Sequence, residues 1–545
     1  MDAVLYALLI FAVLLYFLYK NVQGERKNLG YLQENPHRLG WSRYKSQDLD
    51  LHYLERYGEI DKDPVDSITW DDLEMEEFLL TTQCFYSSLG AAHIYESFHY
   101  LEDEEVLARR KKLTGLGKKD RDCAIKHLFY LGSQAGVNLP FFIRQAGDFF
   151  LPYWLLQLLF ILISLAILGL PFLKEWSLLL FGILLPVNIT LYTKGSEKIR
   201  DRLHSVDYFQ KMLKRARHLE KELSDDQMDF KKELKKALNP FKRLHISTLG
   251  EHTQSAEMSI VRDNMKVFFL TSLRQYAKIS GLLAKNRAQA KSIMELMGEL
   301  ELALYIRALK ENKNLCESDF TKERQLSFEG LYHPVLEDPV SYSREGCKRL
   351  LVTGSNASGK STLMKAMALS VLFSQVTGYA FAKNFRLHKG ELLSSMALRD
   401  SIEKKESYFV TEIKSLRRIL KKTEESFCYC FIDEILRGTN TIERIAASSS
   451  VLESLGKTGS CIYVASHDIE LTELLRDYTN VHFRETYEGD DIIFDYKLLE
   501  GPSDSTNAIL LLKVMGFGDD IIEQAQRRVE NFLETRSWKK GDIYE

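Results

Sequence analysis

The chain has 545 residues, of which 45% are hydrophobic and 27% are charged, and its formal net charge is −3. This length exceeds one ordinary hydrophobic core, so we expect about three or four folded units. The small net charge excludes nucleic-acid binding through the overall field of the protein, and any such contact needs a local basic patch. Seven cysteines occur without a C-x-x-C pair or a histidine cluster beside them, which indicates reduced, mostly buried thiols.

Three uncharged apolar segments are long enough to cross a membrane. One lies within residues 1–20, and the other two make up residues 149–193, interrupted only by Lys174 and Glu175. A spanning helix needs roughly 20 apolar residues, so we predict a retained anchor over residues 1–20 and a transmembrane helical hairpin over residues 149–193. A cleaved signal peptide is the alternative for the first segment, and a buried core hairpin is the alternative for the other two.

Basic residues near the ends of these segments predict their orientation, because Lys and Arg favour the cytoplasmic side. Lys174 lies at the hairpin tip, and the remaining basic residues flank the opposite ends: Lys20, Arg26, Lys27, Arg144, Lys194 and Lys198. All three segments then agree on an N-terminus and a hairpin tip outside. We therefore expect a multi-pass membrane protein whose bulk is cytoplasmic.

The rest of the chain changes character near residue 320. Residues 21–148 and 194–319 are charged and helix-like, which predicts an all-α lever or core domain divided by the hairpin. Residues 320–545 alternate short apolar strands with helices and end in an amphipathic helix over residues 519–536, which predicts an α/β domain. Basic runs such as residues 109–112 are interleaved with acidic residues, as is typical of solvated faces, and DNA contact through them stays open.

A glycine-rich stretch in the α/β domain predicts a nucleoside triphosphate site. An apolar strand over residues 350–352 precedes the pattern G-x-x-x-x-G-K-[ST], and an uninterrupted helix over residues 363–373 follows it, which argues against a chance turn. Backbone N–H groups of such a loop surround phosphate oxygens, while its lysine reaches the β- and γ-phosphates and its serine binds Mg²⁺. The predicted nucleotide-binding residues are Gly354, Ser355, Asn356, Ala357, Ser358, Gly359, Lys360, Ser361 and Thr362.

Two later strands end in candidate catalytic residues. The apolar strand over residues 427–432 ends at Asp433 and Glu434, which predicts a Mg²⁺ ligand in Asp433, alongside Ser361, and a general base for the attacking water in Glu434. The next buried strand, over residues 461–466, ends at His467, where a sensor of the γ-phosphate belongs. An acidic turn and a structural histidine are the respective alternatives.

A helix opens at Ser407, between the glycine-rich loop and the acidic strand. Ser407 is a good N-cap residue, and Val410, Ile413, Leu416 and Leu420 form an apolar face behind it. The N-terminus of such a helix is an anion site.

These motifs, in this order and spacing, closely resemble the ATPase domain of MutS proteins over roughly residues 320–535. The resemblance rests above all on the stretch after the acidic pair, which separates MutS from most other ABC-type ATPases. Its motifs are Asn356 within residues 354–362, Ser407-Tyr408-Phe409 with Glu412, Asp433-Glu434-Ile435 with Arg437 to Thr441, and Ser466-His467 with Glu470-Leu471-Thr472. Flanking matches are His333-Pro334-Val335, Asn480-Val481-His482 and the terminal helix.

The resemblance implies a C-terminal ABC-type ATPase that uses ATP and Mg²⁺ and works as a dimer with composite sites. Ser407 would cap the γ-phosphate held by the loop of the other subunit, and residues 438–441 would lie across the dimer seam. Tyr496 stands where the family places an aromatic residue or histidine that stacks on adenine. Nothing in the sequence resembles the mismatch-reading domain of the family with its Phe-x-Glu wedge, so we expect a membrane-anchored member without it.

The work that ATP performs has more than one interpretation. The first is binding of mismatched or branched DNA at the membrane. The second is an ATP-driven membrane scaffold or switch that acts on a protein partner. A half-transporter ranks last, because three spans without intramembrane charge make a poor substrate path. A basic stripe on the helical domain would favour DNA, and scattered charges would favour a protein partner.

Overall fold

The computed structural model describes most of the chain. The described residues are 26–35, 65–134, 137–147, 151–244, 266–355, 358–396, 408–488, 491–503 and 514–535, together with Gln23, Phe149, Ile509, Leu512 and Ser537. The predicted anchor over residues 1–20 lies outside them. So do three predicted site residues, Asn356, Ala357 and Ser407.

The described elements are mainly helical as far as residue 312 and alternate between strand and helix beyond it. The helices are α1 (Ser67–Asp72), α2 (Met75–Thr81), α3 (Ser88–Ser97), α4 (Glu104–Thr114), α5 (Lys118–Leu131), α6 (Leu139–Arg144), α7 (Tyr153–Gly169), α8 (Lys174–Glu222), α9 (Met228–Leu238), α10 (Thr271–Lys285), α11 (Arg287–Asn312), α12 (Lys360–Thr377), α13 (Tyr408–Glu425), α14 (Thr441–Lys457), α15 (Leu471–Leu474) and α16 (Asp519–Thr535). The strands are β1 (Cys316–Phe320), β2 (Leu326–Leu331), β3 (Tyr342–Cys347), β4 (Arg349–Thr353), β5 (Tyr379–Ala380), β6 (Asn384–Leu387), β7 (Glu391–Ser395), β8 (Cys428–Asp433), β9 (Cys461–Ala465), β10 (Thr479–Glu488) and β11 (Asp491–Glu500).

The chain forms two compact units. The helical unit takes its residues from 1–63, 79–98 and 104–312, and the α/β unit takes its residues from 64–78, 99–103 and 313–545. The second unit therefore begins a few residues before the predicted boundary at 320, and it includes two short N-terminal segments that the sequence assigned to the helical part.

Buried hydrogen bonds explain why residues 64–78 belong to the α/β unit. The Ser394 N–H at the end of β7 donates to Thr69 Oγ1 at 3.0 Å, and the Met396 N–H donates to Asp72 Oδ2 at 2.8 Å. The Ser394 hydroxyl also donates to Asp72. Helix α1 thereby supplies side-chain acceptors to the backbone where β7 ends, and buried N–H groups require such partners.

The larger sheet of the α/β unit has the strand order β11-β10-β4-β9-β8-β7. All neighbouring pairs from β7 to β10 are parallel, and β11 is antiparallel to β10. Strand β9 is buried throughout, and β4 and β8 are buried except for one partly exposed end each, as continuous apolar runs predict for a sheet covered on both faces. The predicted strands near residues 350, 430 and 463 are confirmed. A second sheet has the order β3-β2-β6-β1-β5.

The helical unit has a buried carboxylate at the start of α3. Glu301 on α11 accepts hydrogen bonds from the backbone N–H groups of Tyr86 and Ser87, at 2.6 and 2.9 Å, and from the Ser87 hydroxyl. Burial raises the pKa of Glu301 to about 7. Gly90 lies directly over this carboxylate, and a Cβ built on Gly90 would collide with it.

The segment predicted as a transmembrane hairpin lies in α7 and the first half of α8, and these two helices pack against each other. Among the described residues, the stretch Lys174–Arg200 of α8 is the one helix long and apolar enough to cross a membrane, judged by length and composition alone, and α7 is shorter at 17 residues. Within this stretch, 17% of the most apolar 18-residue window is buried. One of the predicted spans is therefore a candidate membrane helix by length and composition, and a core helix of a soluble protein can pass the same test.

Replacing Gly90 should test the packing around Glu301. We expect Gly90→Ala to destabilise the helical unit by about 1–3 kcal/mol, because the added methyl group must displace a carboxylate held by three hydrogen bonds. The apparent thermal unfolding midpoint measures this change. Gly281→Ala in α10 is the matched control, since nothing lies within 4 Å of its new methyl group and an exposed helical alanine stabilises by about 0.5–1 kcal/mol. Equal midpoints for the two variants would contradict the packing argument.

Candidate functional site

The candidate site lies where β4, β8 and β9 end, because the carboxyl ends of parallel strands meet at one edge of a sheet. Strand β4 leads into the glycine-rich loop and α12, and β8 ends at Asp433. The Ser361 hydroxyl in the first turn of α12 donates to Asp433 Oδ2 at 2.5 Å. The fold thus brings together the two residues that the sequence predicted as magnesium ligands.

Glycine is required at both ends of the loop. Gly354 has φ of 138° and Gly359 has φ of 109°, a backbone region that other residues avoid. A Cβ on Gly354 would lie 2.8 Å from the Phe483 carbonyl oxygen, and one on Gly359 would lie 3.2 Å from Tyr496 Cδ1. Any other residue at either position would therefore strain the loop backbone or collide with its neighbours.

Lys360 is 4% exposed, and its ammonium group donates to the carbonyl oxygens of Gly354 and Ser355, at 2.9 and 2.7 Å. Burial lowers the pKa of Lys360, and the nearby charges of Glu434 and Asp433 oppose that effect. The side chain is thus folded over the loop that it follows, with two carboxylates close enough to stabilise its charge.

Glu434 lies between β8 and β9 in a strained backbone conformation. Its φ is 53°, and its N–H donates to the Ala465 carbonyl oxygen at the end of β9, at 2.9 Å. Its Oε2 is paired with the Arg437 guanidinium and lies 3.9 Å from His467 Nδ1. Non-glycine residues with positive φ cluster at functional sites, and Glu434 is such a residue.

Two further side chains, which we did not predict as site residues, hold these loops. Glu412 on α13 is 4% exposed and accepts from the Leu436 N–H, so it fixes the turn after the acidic pair. Arg444 on α14 binds Asp468 through two hydrogen bonds, from Nε at 2.9 Å and from a terminal nitrogen at 2.5 Å. That pair anchors the residue next to His467. Their partners are distant in sequence, so only the resemblance pointed to Glu412, and no local pattern marked Arg444.

An open cleft of about 430 Å³ lies over the loop. Tyr496, which is 41% exposed, lines this cleft, and its stacking on adenine stays a prediction from the resemblance. The other lining residues are His333, Leu336, Asp338, Val340, Tyr342, Gly359, Lys360, Ser361, Thr362 and Glu434. Residues 333–342 were not predicted as site residues, although His333 begins a motif in the resemblance. Burial lowers the pKa of His333 to about 4.

Unsatisfied polar atoms at the strand ends are those that a triphosphate and its metal ion would engage. Within the described residues, Asp433 Oδ1, Ser355 Oγ and Ser358 Oγ are buried without a hydrogen-bond partner. Burial also raises the pKa of Asp433, a cost that a bound cation would remove. A carboxylate and a hydroxyl are hard oxygen donors suited to Mg²⁺, so the residues present fit that ion.

The predicted site residues in the described part of the chain all lie around this edge. Helix α13 begins at Tyr408, immediately after Ser407, which is the predicted N-cap and lies outside the described residues. Asn356 and Ala357 also lie outside them, in the middle of the loop. The arrangement can bind a polyphosphate and present a carboxylate, an imidazole and an ammonium group to it.

Comparison with known proteins agrees with this geometry. The family described as MutS domain V matches residues 350–533. Proteins named DNA mismatch repair protein MutS are similar to the chain: that of Lactobacillus delbrueckii subsp. bulgaricus is 28% identical over 268 residues, 46% of this chain and 31% of the relative. That of Thermotoga sp. strain RQ2 is 29% identical over 240 residues, 42% of this chain and 30% of the relative. That of Sorangium cellulosum is 25% identical over 306 residues, 52% of this chain and 33% of the relative.

The matched region spans about a third of the length of these relatives. It contains the strand ends, the glycine-rich loop and the acidic pair, so the similarity and the candidate site coincide. Over residues 350–533 the chain is therefore similar to the MutS family, and the predicted resemblance to its ATPase domain is confirmed there.

Proposed function

We propose that this protein binds and hydrolyses ATP in the cleft over the glycine-rich loop. The observation that carries the proposal is the meeting of the loop, Lys360 and the Ser361–Asp433 pair at one edge of the sheet. Tyr496 would stack on the adenine while the loop N–H groups hold the phosphates. We also propose that the α/β unit is a P-loop ATPase of the ABC type.

Ser361 and Asp433 would hold Mg²⁺, which neutralises phosphate charge when bound. Lys360 would leave the carbonyl oxygens of its own loop and donate to the β- and γ-phosphates. Glu434 would accept a proton from the water that attacks the γ-phosphate, and His467, 3.9 Å from Glu434 Oε2, would contact the γ-phosphate from the end of β9. Arg437 holds the Glu434 carboxylate and must yield room for that water.

Two substitutions should separate binding from hydrolysis. We expect Lys360→Ala to lower the ATPase rate by at least about 10²-fold, because the backbone cradle alone leaves the developing charge without its ammonium group. Glu434→Gln should bind ATP yet hydrolyse it at least about 10²-fold more slowly, because the amide cannot take the proton. Steady-state phosphate release and equilibrium nucleotide binding measure the two effects.

Lys322→Ala, at an exposed lysine in the same unit, is the matched control for the lost charge. A normal ATPase rate for Glu434→Gln would contradict the role of Glu434 as the general base. Failure of Glu434→Gln to bind ATP would contradict the proposed ATP site.

We also propose that the α/β unit forms a homodimer with composite sites. Exposed apolar side chains support a protein interface: Ile442 at the start of α14 is 83% exposed, and Met515 is 69% exposed. Helix α16 adds Ile521 and Val529, both exposed, on one face. Ile442 directly follows residues 438–441, which the resemblance assigns to the dimer seam. Ser407 would open α13 toward the γ-phosphate held by the partner subunit.

Mixing two inactive variants should test the composite site. Ser407→Arg would block closure on the phosphate of the partner but leave its own loop intact, whereas Lys360→Ala damages only its own loop. A heterodimer then has one doubly damaged site and one intact site. We expect each variant alone to be inactive and the mixture to recover up to about half of the wild-type ATPase, since catalysis needs both surfaces at one phosphate.

Two differently tagged Lys360→Ala chains are the control mixture, and they should recover nothing. Absence of recovery with Ser407→Arg, when tag capture shows heterodimers and each single site still binds nucleotide, would contradict the action of Ser407 across the dimer.

We further propose that α7 and the first half of α8 form a membrane hairpin. The support is an apolar surface that water would oppose: Trp154 is 65% exposed, Phe172 is 85% exposed and Trp176 is 73% exposed. Tryptophan is enriched at membrane interfaces. Trp154 lies near the start of α7 and Trp176 near the start of α8. Leu156, Leu159, Ile163 and Ala166 face inward and are buried, so both faces of α7 are apolar, as in a helix that packs within lipid.

Thiol labelling should test this topology, because Lys174 and Lys198 are both exposed and lie at opposite ends of the proposed span. We expect a membrane-impermeant thiol reagent to label Lys174→Cys from outside intact cells. Lys198→Cys should react only after permeabilisation. The unsubstituted chain gives the background from its own cysteines. Equal labelling of both positions in intact cells, or recovery of the chain without detergent, would contradict the hairpin.

The charges of the helical unit favour a protein partner of the ATP cycle over DNA. In the described residues, the basic runs near residues 110 and 233 pair with acids: Arg109 with Glu233, Arg110 with Glu299, Lys112 with Asp229 and Lys231 with Asp225. Acidic residues among the basic ones lower the local positive charge that binding to a phosphate backbone depends on. We therefore propose an ATP-driven membrane scaffold or switch and place binding of mismatched or branched DNA second.

A further inference from the structure

Helices α5 and α8 of the helical unit meet at a cluster of metal-binding residue types. Cys123 and His127 are four residues apart on α5, and His218 and Glu222 are four residues apart at the end of α8. Residues four apart lie on the same helix face, and the two helices pack against each other. The rings of His127 and His218 stack across the contact with centroids 6.0 Å apart.

Three of these side chains already converge. Cys123 Sγ, a ring nitrogen of His127 and a carboxylate oxygen of Glu222 all lie within 4.8 Å of one another. His127 Nε2 is 3.2 Å from Glu222 Oε2. Ligands around a tetrahedral Zn²⁺ are about 3.3–3.8 Å apart, given bonds of about 2.0–2.3 Å. Rotamer adjustments of about 1 Å would therefore bring the three atoms to bonding distance.

His127 is the observation that points to a ligand. Its side chain is 1% exposed, and its Nδ1 has no hydrogen-bond partner among the described residues. Its Nε2 is in contact with Glu222, one of the other two members of the cluster. A histidine buried for packing alone would leave Nδ1 unsatisfied, which a buried polar atom in a folded protein rarely is.

We propose that Cys123, His127 and Glu222 bind a Zn²⁺ ion that joins α5 to the end of α8, with His218 beside them to complete the coordination. A thiolate, an imidazole and a carboxylate together suit Zn²⁺ better than Mg²⁺ or Ca²⁺, which take oxygen ligands alone. Nothing in the ATPase chemistry uses these residues.

The protons and ligand atoms needed for metal binding can be accounted for. Cys123 binds as a thiolate, so its thiol proton passes to solvent when the metal binds. Lys126 donates to Glu222 Oε2 at 2.7 Å. A carboxylate has two oxygens, so Glu222 can keep Lys126 on one and bind the metal with the other. The site would act as a clamp, since structural zinc sites contribute directly to folding energy.

Metal content of the full chain tests the proposal. The protein is purified in detergent without a polyhistidine tag, equilibrated with Zn²⁺ and freed of excess metal, and its zinc is measured by elemental analysis. We expect one zinc ion per chain. Replacement by Co²⁺ should give the intense absorption of a cobalt–thiolate bond. Cys123→Ser and Glu222→Gln should each weaken Zn²⁺ binding at least tenfold, and Cys123→Ser should abolish the thiolate band.

Matched controls are Cys316→Ser, which removes another partly buried thiol, and Glu220→Gln, which removes a neighbouring carboxylate on α8. Both should keep the zinc. Circular dichroism and the ATPase rate show that the Cys123 and Glu222 variants remain folded. If Cys123→Ser and Glu222→Gln both kept the zinc, the metal would be adventitious and the proposal would be overturned. The same would follow if the two control variants lost as much zinc as these two. A wild-type chain that holds no zinc after equilibration would also overturn the proposal.

Discussion

Burial of the central strands is the constraint on which the candidate site depends. Strands β4, β8 and β9 are covered on both faces, so their interiors are apolar and polar chemistry is confined to their ends. Parallel pairing of β4 with β9 and of β9 with β8 places those ends at one edge. The glycine-rich loop, Asp433 and His467 follow these three strands, so a pattern that looks like hydrophobic packing also sets the positions of the functional groups.

This dependence explains why the sequence predicts so much of the site. Apolar runs that end in Gly354, Asp433 or Ser466 are local signals, and the parallel sheet converts them into proximity. The supporting residues carry no such signal. Arg444 binds Asp468 and Glu412 binds the Leu436 N–H across 24 residues each, so only the folded chain reveals them. Residues 333–342 line one wall of the cleft, and only the first three of them, His333-Pro334-Val335, belong to a motif of the resemblance.

The unit boundaries show the same limit at larger separation. Thr69 and Asp72 serve β7 from more than 300 residues away, and their surroundings in sequence read as ordinary amphipathic helix. The cluster of Cys123, His127, His218 and Glu222 was missed for a related reason. Each pair has helical spacing, but α5 and the end of α8 are about 90 residues apart, and no C-x-x-C pattern marks either one. Pairwise spacing predicts which face a residue occupies and not which helix will cover it.

On the composite-site proposal, the turn after β8 links hydrolysis to dimer formation. Arg437 holds the Glu434 carboxylate and is itself 43% exposed, and the exposed Ile442 follows within two turns of chain. Arg437 is the exposed member of the pair and Glu434 is 12% exposed, so a partner surface that covers this turn and offers Arg437 another acceptor can free the carboxylate. The carboxylate would then be free to face water at the γ-phosphate when Ser407 of the other subunit arrives. An uncovered subunit would keep its base paired, and hydrolysis would depend on assembly as well as on bound ATP.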